Sequence, residues 1–117
     1  MKSADHFPEI FLFRPLVDMR KQVSGLASIV EQEMLLSPSS DALFVFTNKT
    51  RKIMKALYWD KTGFALWTKH LEKDRYYWPR VGSTVVSLSA RHFSWLLDGI
   101  DLSRIKIHKP LSPTLFS

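Results

Sequence analysis

The chain has no cysteine among its 117 residues, which excludes disulfide scaffolds, cysteine-ligated zinc, iron–sulfur clusters and thiol nucleophiles together. Glycine is scarce, with four residues in all. No GxSxG, Walker A or GxGxxG pattern occurs, so a glycine loop cradling phosphate is not expected. Long apolar runs are missing as well. Stretches such as Ile10 to Phe13 and Ala42 to Phe46 fall far short of the roughly 20 residues that span a bilayer. Met1 to Pro8 carries Asp5 and His6 and lacks the apolar centre of a signal peptide. A soluble protein of a reducing cytoplasm, without a membrane partner, is the expectation.

Reactive constellations are equally absent. The four histidines, His6, His70, His92 and His108, stand far apart, with no HExxH or comparable ligand spacing. Among the carboxylates, Asp18 suits a helix cap, Asp60 a turn, and Asp98 with Asp101 the end of a last helix. No nucleophile, base and orienting group fall into a recognisable pattern. The expectation is a protein that is not an enzyme, with no metal, no other cofactor and no small-molecule substrate.

What the chain does have is core-forming material, 45% hydrophobic and 13% aromatic residues in a length typical of one domain. Glu9 to Arg14 is aromatic and β-branched, a strand closed by Pro15. From Asp18 to Leu35, the residues Met19, Val23, Leu26, Ala27, Val30 and Met34 recur at helical spacing. Asp18 is the expected N-cap and Ser37-Pro38 the stop. Gly25 inside this helix costs about 1 kcal/mol relative to Ala and points to close approach of a neighbouring element. Ala42 to Thr47 reads as a second strand. Lys52 to Trp59 and Phe64 to His70 flank Asp60-Lys61-Thr62-Gly63 as a hairpin. Short strands at Tyr76 to Pro79 and Thr84 to Leu88 extend the meander. Ser89 caps a final helix with Phe93, Leu96 and Leu97 on its apolar stripe and Gly99 beyond its end.

The expected fold is therefore α+β: an antiparallel β-meander sheet, an N-terminal helix after the first strand and a C-terminal helix, both packed on one sheet face. Residues 1–102 make a single domain. Residues 103–117, with Pro110 and Pro113, are expected to form a tail without a fixed conformation of its own.

Charge is unevenly spread. The formal net charge is +6. Nine cations (Lys49, Arg51, Lys52, Lys55, Lys61, Lys69, Lys73, Arg75 and Arg80) lie between positions 49 and 80, against three acids. The rest of the chain is balanced. The same window holds Tyr58, Trp59, Phe64, Trp67, Tyr76, Tyr77 and Trp78. Cations interleaved with rings suit a nucleic-acid surface, because cations neutralise phosphates while exposed rings stack on bases. Against this, strand aromatics usually fill a core, and Trp59 and Trp67 are expected there. Arg20 and Lys21 read as solvated residues of the first helix turn.

Several words, read in order, carry a resemblance: Pro15-Leu-Val-Asp-Met-Arg-Lys21, Gly25-Leu26, Ala42-Leu-Phe-Val-Phe46, Lys55-Ala-Leu-Tyr-Trp-Asp60, Gly63-Phe64, Leu71-Glu-Lys73 and Trp95-Leu-Leu-Asp-Gly-Ile-Asp-Leu102. Together they resemble the TnpB-type accessory protein encoded by the second open reading frame of bacterial insertion sequences of the sixty-six family. The resemblance covers about Glu9 to Leu102. It departs from the family pattern at Thr47 to Lys52, which is less rich in arginine, at Ala65, where an aromatic is frequent, and at His70, where Arg is usual. It implies a small bacterial cytoplasmic protein that assists transposition, while a separate, larger transposase carries the catalytic acids.

Charge and resemblance together predict DNA as the partner, contacted by Lys49, Arg51, Lys52, Lys55, Lys69, Lys73, Arg75 and Arg80. The alternative is a protein adaptor that binds the element's transposase or another element-encoded protein without direct DNA contact and uses Tyr58, Trp59, Trp67 and Trp78 as interface anchors.

Overall fold

The computed structural model describes residues 3–101. After a 3-10 turn at Ala4–His6 come β1 (Ile10–Phe13), α1 (Val23–Gln32), β2 (Leu43–Thr47), β3 (Ile53–Asp60), β4 (Gly63–His70), β5 (Val85–Leu88) and α2 (Ala90–Leu97). The α+β class holds, and the strands form one sheet in the order β4-β3-β2-β1-β5. Its expected pairing needs correction. β1 and β2 run parallel, with Ile10 opposite Leu43, and the other neighbouring pairs are antiparallel. The sheet is mixed because α1 carries the chain back to the starting end of β1 before β2 begins, the kind of crossover that parallel neighbours require. β5 pairs with β1 instead of extending the sheet from β4. Tyr76 to Pro79 forms no strand and belongs to an irregular connection between β4 and β5.

Strand alternation divides the core in two. On one face Ile10, Leu12, Leu43, Val45, Met54 and Ala56 meet Phe93 and Leu96 of α2, together with Tyr76 and Trp78. On the other, Phe13, Phe44, Phe46 and Leu57 meet Leu26, Ile29 and Val30 of α1. The helices thus cover opposite faces, where the sequence reading put both on one. The physical reason lies in β2, whose five residues are all buried: a central strand apolar on both sides needs cover on both sides.

Helix α1 is shorter than its periodic pattern. Asp18 does not cap it. Its carboxylate accepts the Arg20 backbone N–H at 2.9 Å and the Arg20 guanidinium at 2.6 Å, while Gln22 stands at the N-cap without a side-chain cap bond. The close neighbour at Gly25 is the stem of Lys21, whose Cβ would lie 3.3 Å from an added Cβ. Past the helix, Leu35 takes the left-handed conformation, φ 59°. α2 behaves as expected at both ends. Ser89 Oγ accepts the His92 backbone N–H at 3.1 Å, and Gly99 follows with φ 80°. Among the described residues no helix is long and apolar enough to cross a membrane. The tail expected at 103–117 lies outside them.

Leu35 combines a strained backbone with 78% exposure, so its side chain contributes little packing to offset the steric cost. Leu35→Gly is expected to raise the unfolding free energy by about 0.5–1 kcal/mol, measured as a higher denaturant midpoint at unchanged slope.

Candidate nucleic-acid interface

The register fixes which loops share an end of the sheet. Phe13 pairs with Val85, Thr47 with Met54, and Ile53 with His70. The connections 14–22, 48–52 and 71–84 therefore all leave the sheet at the carboxyl ends of the two parallel strands. They carry Lys49, Arg51 and Lys52 in the β2–β3 turn, Lys73, Arg75 and Arg80 between β4 and β5, and Arg14, Arg20 and Lys21 after β1. Lys69, opposite Met54, stands beside them. At the other end lie Glu9, Asp41, Asp60 and Lys61. Strand direction thus gathers most of the nine central cations at one end, together with Asp18, Glu72 and Asp74, and carries Lys61 to the far end.

Lys55 is separated from the rest in another way. Its residue is 6% exposed, and its Nζ donates to the carbonyls of Met19 at 2.9 Å and Lys21 at 3.0 Å. It lies on the α1 face of β3, where it ties the loop entering the helix to the sheet. A phosphate cannot reach an amine so placed, and Lys55 leaves the predicted contact set.

The β4–β5 connection is long and strandless, yet it is anchored. The Trp78 indole N–H donates to the Phe13 carbonyl at 3.1 Å in a buried bond. The Tyr76 backbone N–H donates to the Arg51 carbonyl at 2.7 Å, and that of Leu71 to the Lys52 carbonyl at 2.8 Å. Arg14 holds the far side, donating from Nε to the Ser83 carbonyl at 3.0 Å and from Nη1 to that of Arg80 at 3.2 Å. The sequence reading missed this function of Arg14, since a residue 66 positions away from its partner leaves no local signal.

Beneath the connection is a cavity of about 590 Å³. Leu12, Val86 and Leu88 supply apolar wall, Arg51, Arg75 and Arg80 supply charge, and Asp101 is the one carboxylate among the described lining residues. Arg51 reaches it from a left-handed backbone, φ 59°. Burial, then the nearby guanidiniums of Arg75 and Arg80, lower its pKa from the ordinary arginine value. Two atoms here are buried without a hydrogen-bond partner, Arg51 Nε and the Tyr76 hydroxyl. Burial pushes the Tyr76 phenol up to about 12. His92, also in the wall, is lowered by burial and then by Arg91. A second, open depression runs between the β1–α1 loop and the β2–β3 turn, lined in part by Leu16, Arg20 and Lys49.

The rings proposed as protein anchors do not protrude. Tyr58 and Trp78 are buried, and Trp59 and Trp67 are half-buried, Trp59 packing edge-on against Phe64 at 5.0 Å. Tyr77, at 46%, is the exposed aromatic among the described residues. No group of three or more His, Cys, Asp or Glu side chains that could hold a metal occurs among them.

Comparison with known proteins agrees with the resemblance read from the residues. The model of the family described as IS66 Orf2-like proteins matches residues 8–107. The uncharacterized protein y4jC of Sinorhizobium fredii is 34% identical over 98 residues, covering 84% of each chain. The uncharacterized protein y4hO of the same organism is 34% identical over 84 residues, covering 72% of this chain and 73% of its own. No solved structure matches this chain significantly.

Replacing Lys55 by Met keeps its bulk but removes a charged donor from two carbonyls. Lys55→Met is expected to destabilise the fold by about 2 kcal/mol in denaturant unfolding while leaving polyanion binding by the folded protein unaltered. For Tyr76, a folded pKa of about 12 against an ordinary 10.0 stabilises the protein fully below pH 10 and is lost as pH rises towards 12. An ionisation step near pH 12 is expected in an ultraviolet titration of the folded protein, and Tyr76→Phe should abolish it.

Proposed function

The chain belongs to the IS66 Orf2-like family, and from that premise we propose that it is a non-catalytic accessory protein in transposition that binds the element's DNA. The contact surface is the loop-bearing end of the sheet. Lys49, Arg51, Lys52, Lys73, Arg75 and Arg80 are the phosphate-binding groups, and Lys69 extends the surface along β4. The observation that carries this reading is the gathering of these cations at one end, where they outnumber Glu72 and Asp74 of the same loops and Asp18 is tied to Arg20, with Lys61 at the opposite end beside Asp60. Phosphate contacts of this kind hold a duplex in register without reading its sequence. The element's transposase is proposed as the protein that acts on DNA presented in this way.

The test is a binding titration across salt concentrations with a fluorescent duplex. With about five phosphates engaged, log affinity is expected to fall with log salt at a slope near −4.5. Lys73→Ala, Arg75→Ala and Arg80→Ala combined should weaken every duplex sequence alike and flatten that slope, whereas Lys61→Ala should change neither. Absence of binding at low salt, together with a transposase complex that survives nuclease treatment, would replace this reading with that of a protein adaptor.

A further inference from the structure

The duplex-binding reading leaves the cavity under the β4–β5 connection without a use. We infer that this cavity receives one unpaired nucleotide of a DNA strand, its base in the apolar trough and its phosphate at the guanidiniums of Arg51, Arg75 and Arg80. The inference rests on the DNA-binding reading and adds to it a preference for unpaired strand.

Four observations converge on that ligand. The volume, about 590 Å³, lies within the range of small-molecule sites. The apolar lining, the exposed Val81 backed by the almost wholly covered Leu12, Val86 and Leu88, is aliphatic and offers no polar competitor for the face of a ring. Three arginines converge on the opening against a single carboxylate among the described lining residues, which suits a group of concentrated negative charge. Tyr76 is wholly buried, yet its hydroxyl has no partner, and neither has the buried Arg51 Nε. Such orphaned donors in a cavity wall are costly in isolation. Neither atom is exposed to water in this structure, so a ligand satisfies them by parting the side chains that cover them and bringing the oxygen acceptors that base carbonyls and phosphate both supply. A half-exposed ring at the same wall, Tyr77, offers a stacking surface for a neighbouring base. Bases inside a duplex are stacked on both faces and cannot enter a trough, so the nucleotide must be unpaired. The depression beside Leu16 and Lys49 has no comparable orphaned group.

The left-handed backbone of Arg51 supplies a clean probe, because glycine adopts φ 59° without steric cost and Arg51→Gly is expected to fold. Tyr76→Phe removes one hydroxyl and no other atom. Fluorescence anisotropy would compare a blunt duplex with the same duplex bearing a short single-stranded overhang, with a free deoxynucleoside monophosphate as competitor. The full chain is expected to prefer the overhang at least about tenfold. Tyr76→Phe should cut that preference about fivefold, and Arg51→Gly should cut it as well, with circular dichroism confirming that both variants are folded. Equal affinity for blunt and overhanging DNA overturns the inference and leaves duplex binding standing, as does an overhang preference untouched by Tyr76→Phe. Binding of the monophosphate without binding of any DNA overturns both, and assigns the cavity to a free nucleotide.

Discussion

The arrangement of the charged end depends on one buried hydrogen bond, from the Trp78 indole to the carbonyl of Phe13. It lies within the connection between β4 and β5, which has no regular structure to hold it. Trp78 and Tyr76 enter the core on the α2 face, and the indole N–H finds an acceptor at the end of β1, so the ring is buried without an unsatisfied donor. The Tyr76 backbone bond to Arg51 then ties the same connection to the β2–β3 turn. Arg75 and Arg80 flank these anchors and are brought beside Arg51 by them. Without the two aromatic plugs, the cations of this connection would have no defined relation to those of the turn.

A second constraint acts at the centre of the sheet. β2 is buried along its whole length, and Phe44 and Phe46 face α1 while Leu43 and Val45 face α2. Two covering layers follow, and with them the parallel pairing of β1 and β2 through α1. That pairing puts the ends of β1 and β2 on the same side, and so brings their outgoing loops together. Crevices at the carboxyl ends of adjacent parallel strands are recurrent ligand sites in α/β sheets for the same topological reason. The excess of cations at this end, where Asp18, Glu72 and Asp74 also lie, is thus a product of strand direction acting on short charged turns.

Buried polar groups divide into those already matched and those left open. Lys55 is matched: its amine meets two carbonyls and takes no further part. Thr47, wholly buried, donates its hydroxyl to the Ile53 carbonyl at 2.8 Å. The Tyr76 hydroxyl and Arg51 Nε are open, and both belong to residues of the cavity wall. The contrast between neighbours in one small core is what sets the cavity apart from ordinary packing.

Composition and periodicity alone determined the α+β class, the positions of five strands to within a residue or two, the capped ends of α2 and the concentration of positive charge between Lys49 and Arg80. These are local properties, written in alternation, in cap residues and in charge counts, and they are legible wherever neighbours in sequence set the structure. Tertiary structure decided the parallel pair, the two-sided cover of the sheet, the withdrawal of Lys55 into the core and the loss of a strand at Tyr76 to Pro79. It also decided that Arg51, Arg75 and Arg80 meet around one cavity, with Arg14 bonded to the backbone of the connection that covers it. Each of these depends on which distant segment buries a given face, and a side chain's charge or apolar character does not specify its partner until the sheet order brings the two together.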